Sequence, residues 1–146
     1  MNLFCLRFQE LSTSQLYDIL LLRQQVFIIE QNCIYPDMDA HDHLALHLMM
    51  YEENELGAYL RIFPPGIKYS ESALGRIVVH PRFRGKTTGK ELIQNGINIS
   101  KKEFPDSSIR IEAQAQLDKY YEKFGFVAEG EIYVVDGIDH LQMVLH

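Results

Sequence analysis

Between Arg76 and Ile93 the sequence RIVVHPRFRGKTTGKELI changes period within a few residues, and this junction restricts the folds open to the chain more than any other stretch. Ile77, Val78 and Val79 form a short β-branched run that predicts a buried strand. Pro81 forbids its continuation, and Leu92, Ile93, Gly96, Ile97 and Ser100 then recur at helical spacing. A strand that turns at once into a helix leaves the first N–H groups of that helix without intrahelical acceptors, at the positive end of its dipole. Arg82, Arg84, Lys86 and Lys90 crowd the turn with no acid before Glu91, and Gly85 and Gly89 let a ligand approach backbone. Together these features predict an anion site, with phosphate its natural occupant.

Taken alone, the turn is equally well read as a basic, solvated helix start. The P-loop pattern GxxxxGK[ST] is nearly met by Gly85, Lys86 and Thr87, but its first glycine falls at His80, followed by Pro81, so a phosphate cradle cannot wrap there. The 146 residues, 47% hydrophobic and 11% aromatic, predict one folded domain over 1–146 with a real core. A net charge of -6 disfavours nucleic acid as a partner and fits a cationic amine substrate, against which the basic cluster around Arg84 stands out. Cys5 and Cys33 lie far apart without zinc spacing and fit reduced thiols in a cytoplasmic protein. No apolar run of export or membrane length is present, so no membrane partner is expected.

In chain order, Leu3 to Phe8 predicts a first strand. Ser12 and Gln15 form a capping box, with Leu11 and Leu16 as its hydrophobic staple, so a helix should start at Ser12. Leu16, Ile19, Leu20, Arg23 and Phe27 follow one face of it, placing Arg23 on or beside the buried stripe, where it either binds an acid or snorkels from the rim. The segment IYPDMDAHDHL then brings Asp37, Asp39, His41 and His43 into alternation, a conceivable metal nest. No other residues complete a metal spacing, so a polar loop bordering a cleft is the preferred reading and no metal is expected. Ala45 to Tyr51 and Leu56 to Phe63 read as an antiparallel hairpin. A strand from Ala73 to His80 delivers the anion turn, and the following helix must end before Pro105. Ile109 to Ala115 alternates as a strand, Leu117 to Phe124 marks a short helix closed by Gly125, and Asp136 and Gly137 turn a terminal hairpin.

RGKTTG resembles the pyrophosphate loop [QR]xxGx[GA] of the GNAT N-acetyltransferases, with Thr87 in place of the middle glycine, and YEKFGF resembles that family's YxxxGF. The order of elements resembles the whole GNAT fold, and LRQQVFIIEQNCIYPDMDAHD, GRIVV and DGIDH are similar to its ElaA-type subgroup. The fold implied is α/β (α+β), a central mixed and mostly antiparallel twisted sheet flanked by helices and splayed at the CoA site. The resemblance implies acetyl transfer from acetyl-CoA to a primary amine of a small molecule or peptide by direct attack. It lays the pantetheine arm along the backbone of Ile77, Val78 and Val79 and the pyrophosphate on Arg84, Gly85, Lys86, Thr87, Thr88 and Gly89, with Lys90 nearby. Lys119 or Lys123 would reach an adenosine phosphate, and Gln114 stands where the family has an asparagine.

Such chemistry needs a base to free the amine, an N–H near Val79 to hold the oxyanion, and an acid for the departing thiolate. The resemblance makes Tyr121 the acid. GRIVV lacks the family's strand glutamate and Glu71 lies too early, so His47 and His140, each in a strand expected to border the cleft, are the base candidates. Asp39 and Glu30 are expected to recognise a cationic acceptor. The alternatives are a CoA-binding regulatory module without transfer chemistry, which Thr87 and the missing glutamate would suit, and, last, a metal-dependent hydrolase. Edge strands of this fold give a weak expectation of a homodimer.

Overall fold

The computed structural model describes all of residues 1–146. Its first helix starts where the capping box places it. The Ser12 hydroxyl accepts from the Gln15 N–H at 3.0 Å, and the Gln15 side chain accepts from the Ser12 N–H at 2.9 Å. Helix α1 (Thr13–Arg23) runs on as a π-helical stretch, Gln24–Glu30. Its buried face is Ile19, Leu22, Arg23 and Val26, at i, i+3, i+4 and i+7. That face is rotated from the expected one: Leu16, Leu20 and Phe27 are only half-buried, because Arg23 turns fully inward to meet acids of the next loop.

Eight strands follow the order β1-β2-β3-β4-β5-β8-β6, with β7 paired to β8. They are β1 (Asn2–Arg7), β2 (Leu46–Glu52), β3 (Glu55–Phe63), β4 (Ser72–Val79), β5 (Ile109–Gln114), β6 (Val127–Ala128), β7 (Tyr133–Val135) and β8 (Ile138–Leu145). Every pair is antiparallel except β4 with β5. The Asp136-Gly137 turn has positive φ at both residues (51° and 77°), the mirror-image turn whose twist matches a hairpin. Helix α2 (Thr88–Glu103) stops ahead of Pro105, and α3 (Asp118–Glu122) is closed by Gly125 at φ +100°.

On one face of the sheet, Leu92, Ile93 and Ile97 of α2 and Tyr121 of α3 pack on Leu60, Ile62, Ile111, Ala113 and Met143. On the other, Ile19, Leu22 and Val26 cover Met49, Tyr59 and Val78. Helix α1 thus shields only the β1 to β4 half of its face. The same face of β5 and β8 is left to polar residues.

Two irregularities of β4 create the site. Tyr59 faces Val78 and Arg61 faces Gly75, so Leu60 alone opposes both Arg76 and Ile77: a β-bulge, with Arg76 at φ +49°. In addition, β4 pairs with β5 only at Ser72 with Ile109 and Ala73 with Arg110. Beyond Ala73 the bulge turns β4 away and the strands diverge, the splay that the GNAT resemblance implies.

Candidate active site

The divergence opens a cleft of about 290 Å³ whose walls are Leu74 to Val79 of β4 on one side and Ile111, Glu112 and Gln114 of β5 on the other. Val26 and Phe27 of the π-helical stretch, Cys33 and Tyr35 of the following loop, Tyr121 of α3, and Val135, Asp136, Ile138 and His140 of the terminal hairpin complete it. Cys33 fastens loop to hairpin, its thiol donating to the Asp136 carbonyl at 3.3 Å. On the side facing β3, Val78 and Val79 are paired, whereas the side facing β5 has no strand partner beyond Ala73. The edge along Ile77, Val78 and Val79 is therefore without a strand partner on the cleft side, the Val79 carbonyl alone being taken by Arg84, and it fits an extended amide-bearing chain.

At the mouth stands the basic turn. Gly85 holds φ +76°, a conformation costly to any side chain. Thr87 adopts φ −87°, ψ 0°, as a non-glycine residue there must, and its hydroxyl donates to Glu91 at 3.0 Å instead of capping the helix. The first intrahelical bond runs from the Glu91 N–H to the Thr87 carbonyl, which leaves the N–H groups of Thr88, Gly89 and Lys90 without an intrahelical acceptor. The exposed ammonium groups of Lys86 and Lys90 lie on the same turn. Donors, helix dipole and basic side chains together suit a diphosphate. Arg84 points the other way: its Nε donates to the Val79 carbonyl at 3.0 Å, and its Nη2 to Glu30 at 2.8 Å. Lys119 and Lys123 are exposed on α3.

Tyr121 is 7% exposed and forms part of the cleft wall, with no hydrogen-bond partner for its hydroxyl in the protein. Burial, with Tyr120 beside it, pushes the phenol well above its ordinary range, so it stays protonated and able to donate. His140 also lines the cleft, opposite Gln114 in the β5–β8 register. Its Nδ1 lies 2.8 Å from the Ile138 carbonyl; a carbonyl only accepts, so Nδ1 carries the proton and Nε2 is a free lone pair.

His47 does not border the cleft, contrary to expectation. It is fully buried under the loop after α1, with Nε2 2.8 Å from the Asp42 carbonyl and Nδ1 2.6 Å from the Tyr59 hydroxyl. The same carbonyl logic makes Nε2 the donor and Nδ1 the acceptor. Burial lowers its pKa and keeps it neutral, and with both nitrogens engaged it is a structural residue.

The acids of the 37–42 loop are likewise occupied. Asp37 receives the Nε of Arg23 at 2.9 Å and of Arg76 at 2.8 Å; Asp39 is held bidentately by Arg61 at 2.8 and 2.9 Å; Asp42 Oδ1 is shared by Arg23 at 2.7 Å and Arg61 at 3.0 Å. Asp39 and Glu30 are thus committed to arginines and unavailable to an acceptor, and the metal-nest carboxylates Asp37 and Asp39 are the counterions of Arg23, Arg61 and Arg76. Arg23 binds acids and does not snorkel. Arg61, within the otherwise apolar run of β3, was the overlooked sign that a buried acid must come from elsewhere. Glu71 is paired with Arg110 at 2.7 Å, whose hydrogen bonds pull it down to about 2. Sequence reasoning also passed over Glu112, although its alternation with Arg110 and Gln114 placed it on the polar face of β5.

Residues 13–146 match the family model described as an acetyltransferase (GNAT) domain. Protein ElaA of Escherichia coli is 37% identical over 140 residues, covering 94% of this chain and 92% of its own. A UPF0039 protein of Synechocystis is 35% identical over 139 residues, covering 94% and 90%. Among solved structures, an acyl-CoA N-acyltransferase from Pseudomonas aeruginosa superposes with a TM-score of 0.95 at 32% identity over the whole of both chains. The crystal structure of E. coli ElaA superposes with a TM-score of 0.94 at 35% identity, covering 99% of each. The splayed mixed sheet, the basic turn before α2 and these matches over nearly the full length lead to one conclusion: the chain belongs to the GNAT acetyltransferase family.

Proposed function

We propose that this protein transfers an acetyl group from acetyl-CoA to a primary amine of a small molecule or peptide by direct attack on the thioester. The observation that carries the reading is the unbonded, protonated hydroxyl of Tyr121 in the wall of a cleft that has a free strand edge on one side and a basic helix start at its mouth. Ile77, Val78 and Val79 bind the pantetheine amides through backbone, and Gly85, Lys86, Thr87, Thr88, Gly89 and Lys90 form the pyrophosphate cradle, with Arg84 bracing the turn through Val79 and Glu30 instead of donating to the phosphates. Gln114 supplies a side-chain amide to the same arm from β5, and Lys119 or Lys123 the counter-charge for the adenosine phosphate. An ammonium has no lone pair to attack with, so Nε2 of His140, directly or through water, takes its proton. An N–H near Val79 holds the developing oxyanion. Tyr121 then gives its proton to the departing thiolate.

The chain has no helix long and apolar enough to cross a membrane. We place its work in the cytoplasm, where acetyl-CoA is available, and its edge strand β1 as the surface of a homodimer.

Calorimetric titration with acetyl-CoA, followed by thiol release against amines and peptides, tests the proposal. Binding with release for an acceptor, and loss of release with retained binding in Tyr121→Phe, is the expected result. Failure to bind acetyl-CoA would overturn it, and binding without release for any acceptor would favour a CoA-responsive module.

A further inference from the structure

Glu112, on the β5 wall of the cleft, is an acid that no arginine or lysine claims. Glu30 is taken by Arg84 and Asp37 by Arg23 and Arg76, so the two cations lining the cleft, Arg76 and Arg84, are both already neutralised. The carboxylate of Glu112 has a different partner. Its Oε2 accepts from the Tyr133 hydroxyl at 2.7 Å, and that hydroxyl accepts in turn from Gln142 Nε2 at 2.6 Å. Burial, and then the bond to Glu112, push the Tyr133 phenol up to about 12, so it remains the donor. Oε1 is left without a protein partner.

Position gives this oxygen a use. Extending the Ser72 to Ile109 register along the diverging strands brings Glu112 level with Gly75, where a side chain would meet nothing within 4 Å. Glu112 opposes Gln142 and His140 opposes Gln114, so Glu112 and His140 are diagonal neighbours on one face, separated by about 7–8 Å between Cα atoms. Donation from Tyr133 engages one carboxylate oxygen and leaves the other to accept from the N–H groups of a cation.

Resting on the acyl-transfer reading, we infer that Glu112, positioned by Tyr133 and Gln142, binds a second cationic group of the acceptor, and that the enzyme's acceptors are aliphatic amines with another ammonium a short chain away from the reacting one. The reacting amine lies at His140 and the distal ammonium completes the open side of Glu112. Asp136, at the hairpin rim of the cleft, adds negative charge along the entry path.

The test compares 1,4-diaminobutane with butylamine, which share the reacting end and differ in the distal charge. Calorimetry on coenzyme A-saturated protein reads binding whether or not transfer occurs, and steady-state thiol release reads KM and kcat. Wild type should bind the diamine about 10- to 100-fold more tightly than the monoamine, the contribution of a charge-assisted hydrogen bond. Glu112→Gln should erase that preference by raising KM for the diamine while kcat and the acetyl-CoA Kd hold; Tyr133→Phe should weaken it partly. Equal affinity of wild type for the two amines, with acetyl-CoA bound normally, would overturn this inference alone. A fall in kcat of the same size for both amines in Glu112→Gln would also overturn it, by making the residue the base. Absence of acetyl-CoA binding would remove the acyl-transfer reading and this inference with it.

Discussion

Replacing Asp42 by asparagine removes a negative charge from between two buried guanidinium groups. Arg23 and Arg61 are 0% and 1% exposed, and both donate to the same Asp42 oxygen. Breaking a buried ion pair by removing one partner costs about 3–5 kcal/mol, because the surviving charge remains in low dielectric. Here each arginine keeps another acid, Arg23 with Asp37 and Arg61 with Asp39, so the lower end, about 3 kcal/mol, is expected. For a domain of this size that is a fall in Tm of about 10 °C. Urea unfolding followed by circular dichroism at pH 7 gives the free energy. The effect should depend on acid in a defined direction. Burial alone would raise the Asp42 pKa, but the hydrogen bond and charge of Arg23, then those of Arg61, outweigh it and hold the carboxyl below its ordinary 3.8. A depressed carboxyl pKa contributes stability that is fully present above 3.8 and is lost as pH falls through the native value. The gap between wild type and Asp42→Asn should therefore be constant from neutral pH to about 5 and close below 3.8. A destabilisation under about 1 kcal/mol at pH 7 would refute the premise that these guanidiniums depend on Asp42. Because the same cluster fastens Asp37 and thereby the loop bearing Tyr35 and Cys33, the variant should also lose affinity for acceptor more than for acetyl-CoA.

Four other substitutions separate roles that the sequence leaves open. Tyr121→Phe should lower kcat by about 10²- to 10⁴-fold, the usual worth of a general acid, with the calorimetric Kd for acetyl-CoA unchanged. His140→Gln should lower kcat by about 10²- to 10⁴-fold without altering thermal stability or the Kd for acetyl-CoA, and an unchanged kcat would assign the base elsewhere. His47→Gln should act on stability instead: burial makes the native His47 pKa lower than its unfolded 6.5, so wild type loses stability as pH falls from 6.5 toward the native value, and the variant's denaturation midpoint should lack that slope. Gly85→Ala should weaken acetyl-CoA binding, since alanine at φ +76° costs about 1 kcal/mol or more of backbone strain in the cradle; an unchanged Kd would show that the turn does not need this conformation to bind.

Features legible in the sequence were those whose cause is local. The Ser12 and Gln15 cap, the Pro105 stop, the positive φ at Gly125 and the Asp136-Gly137 hairpin follow from backbone chemistry within a few residues, and each forms where its residues required. The basic turn before α2 is local in the same sense. What the tertiary structure alone decided was which of several equivalent side chains face the cleft. His47 and His140 both sit in alternating strands, and only the docking of α1 and its loop over β2 closes off the first while the second stays open. Asp37 and Asp39 looked like candidates for a metal, and Asp39 for an amine, because their arginines lie 14 to 39 positions away and reach them only through packing. The bulge at Arg76 depends on how β4 pairs with β3, and the free oxygen of Glu112 on a tyrosine from another strand. Local sequence determines elements and their ends because backbone geometry is short-ranged; burial and ion pairing join distant residues, and so the identity of the reacting groups is fixed only when the chain has folded.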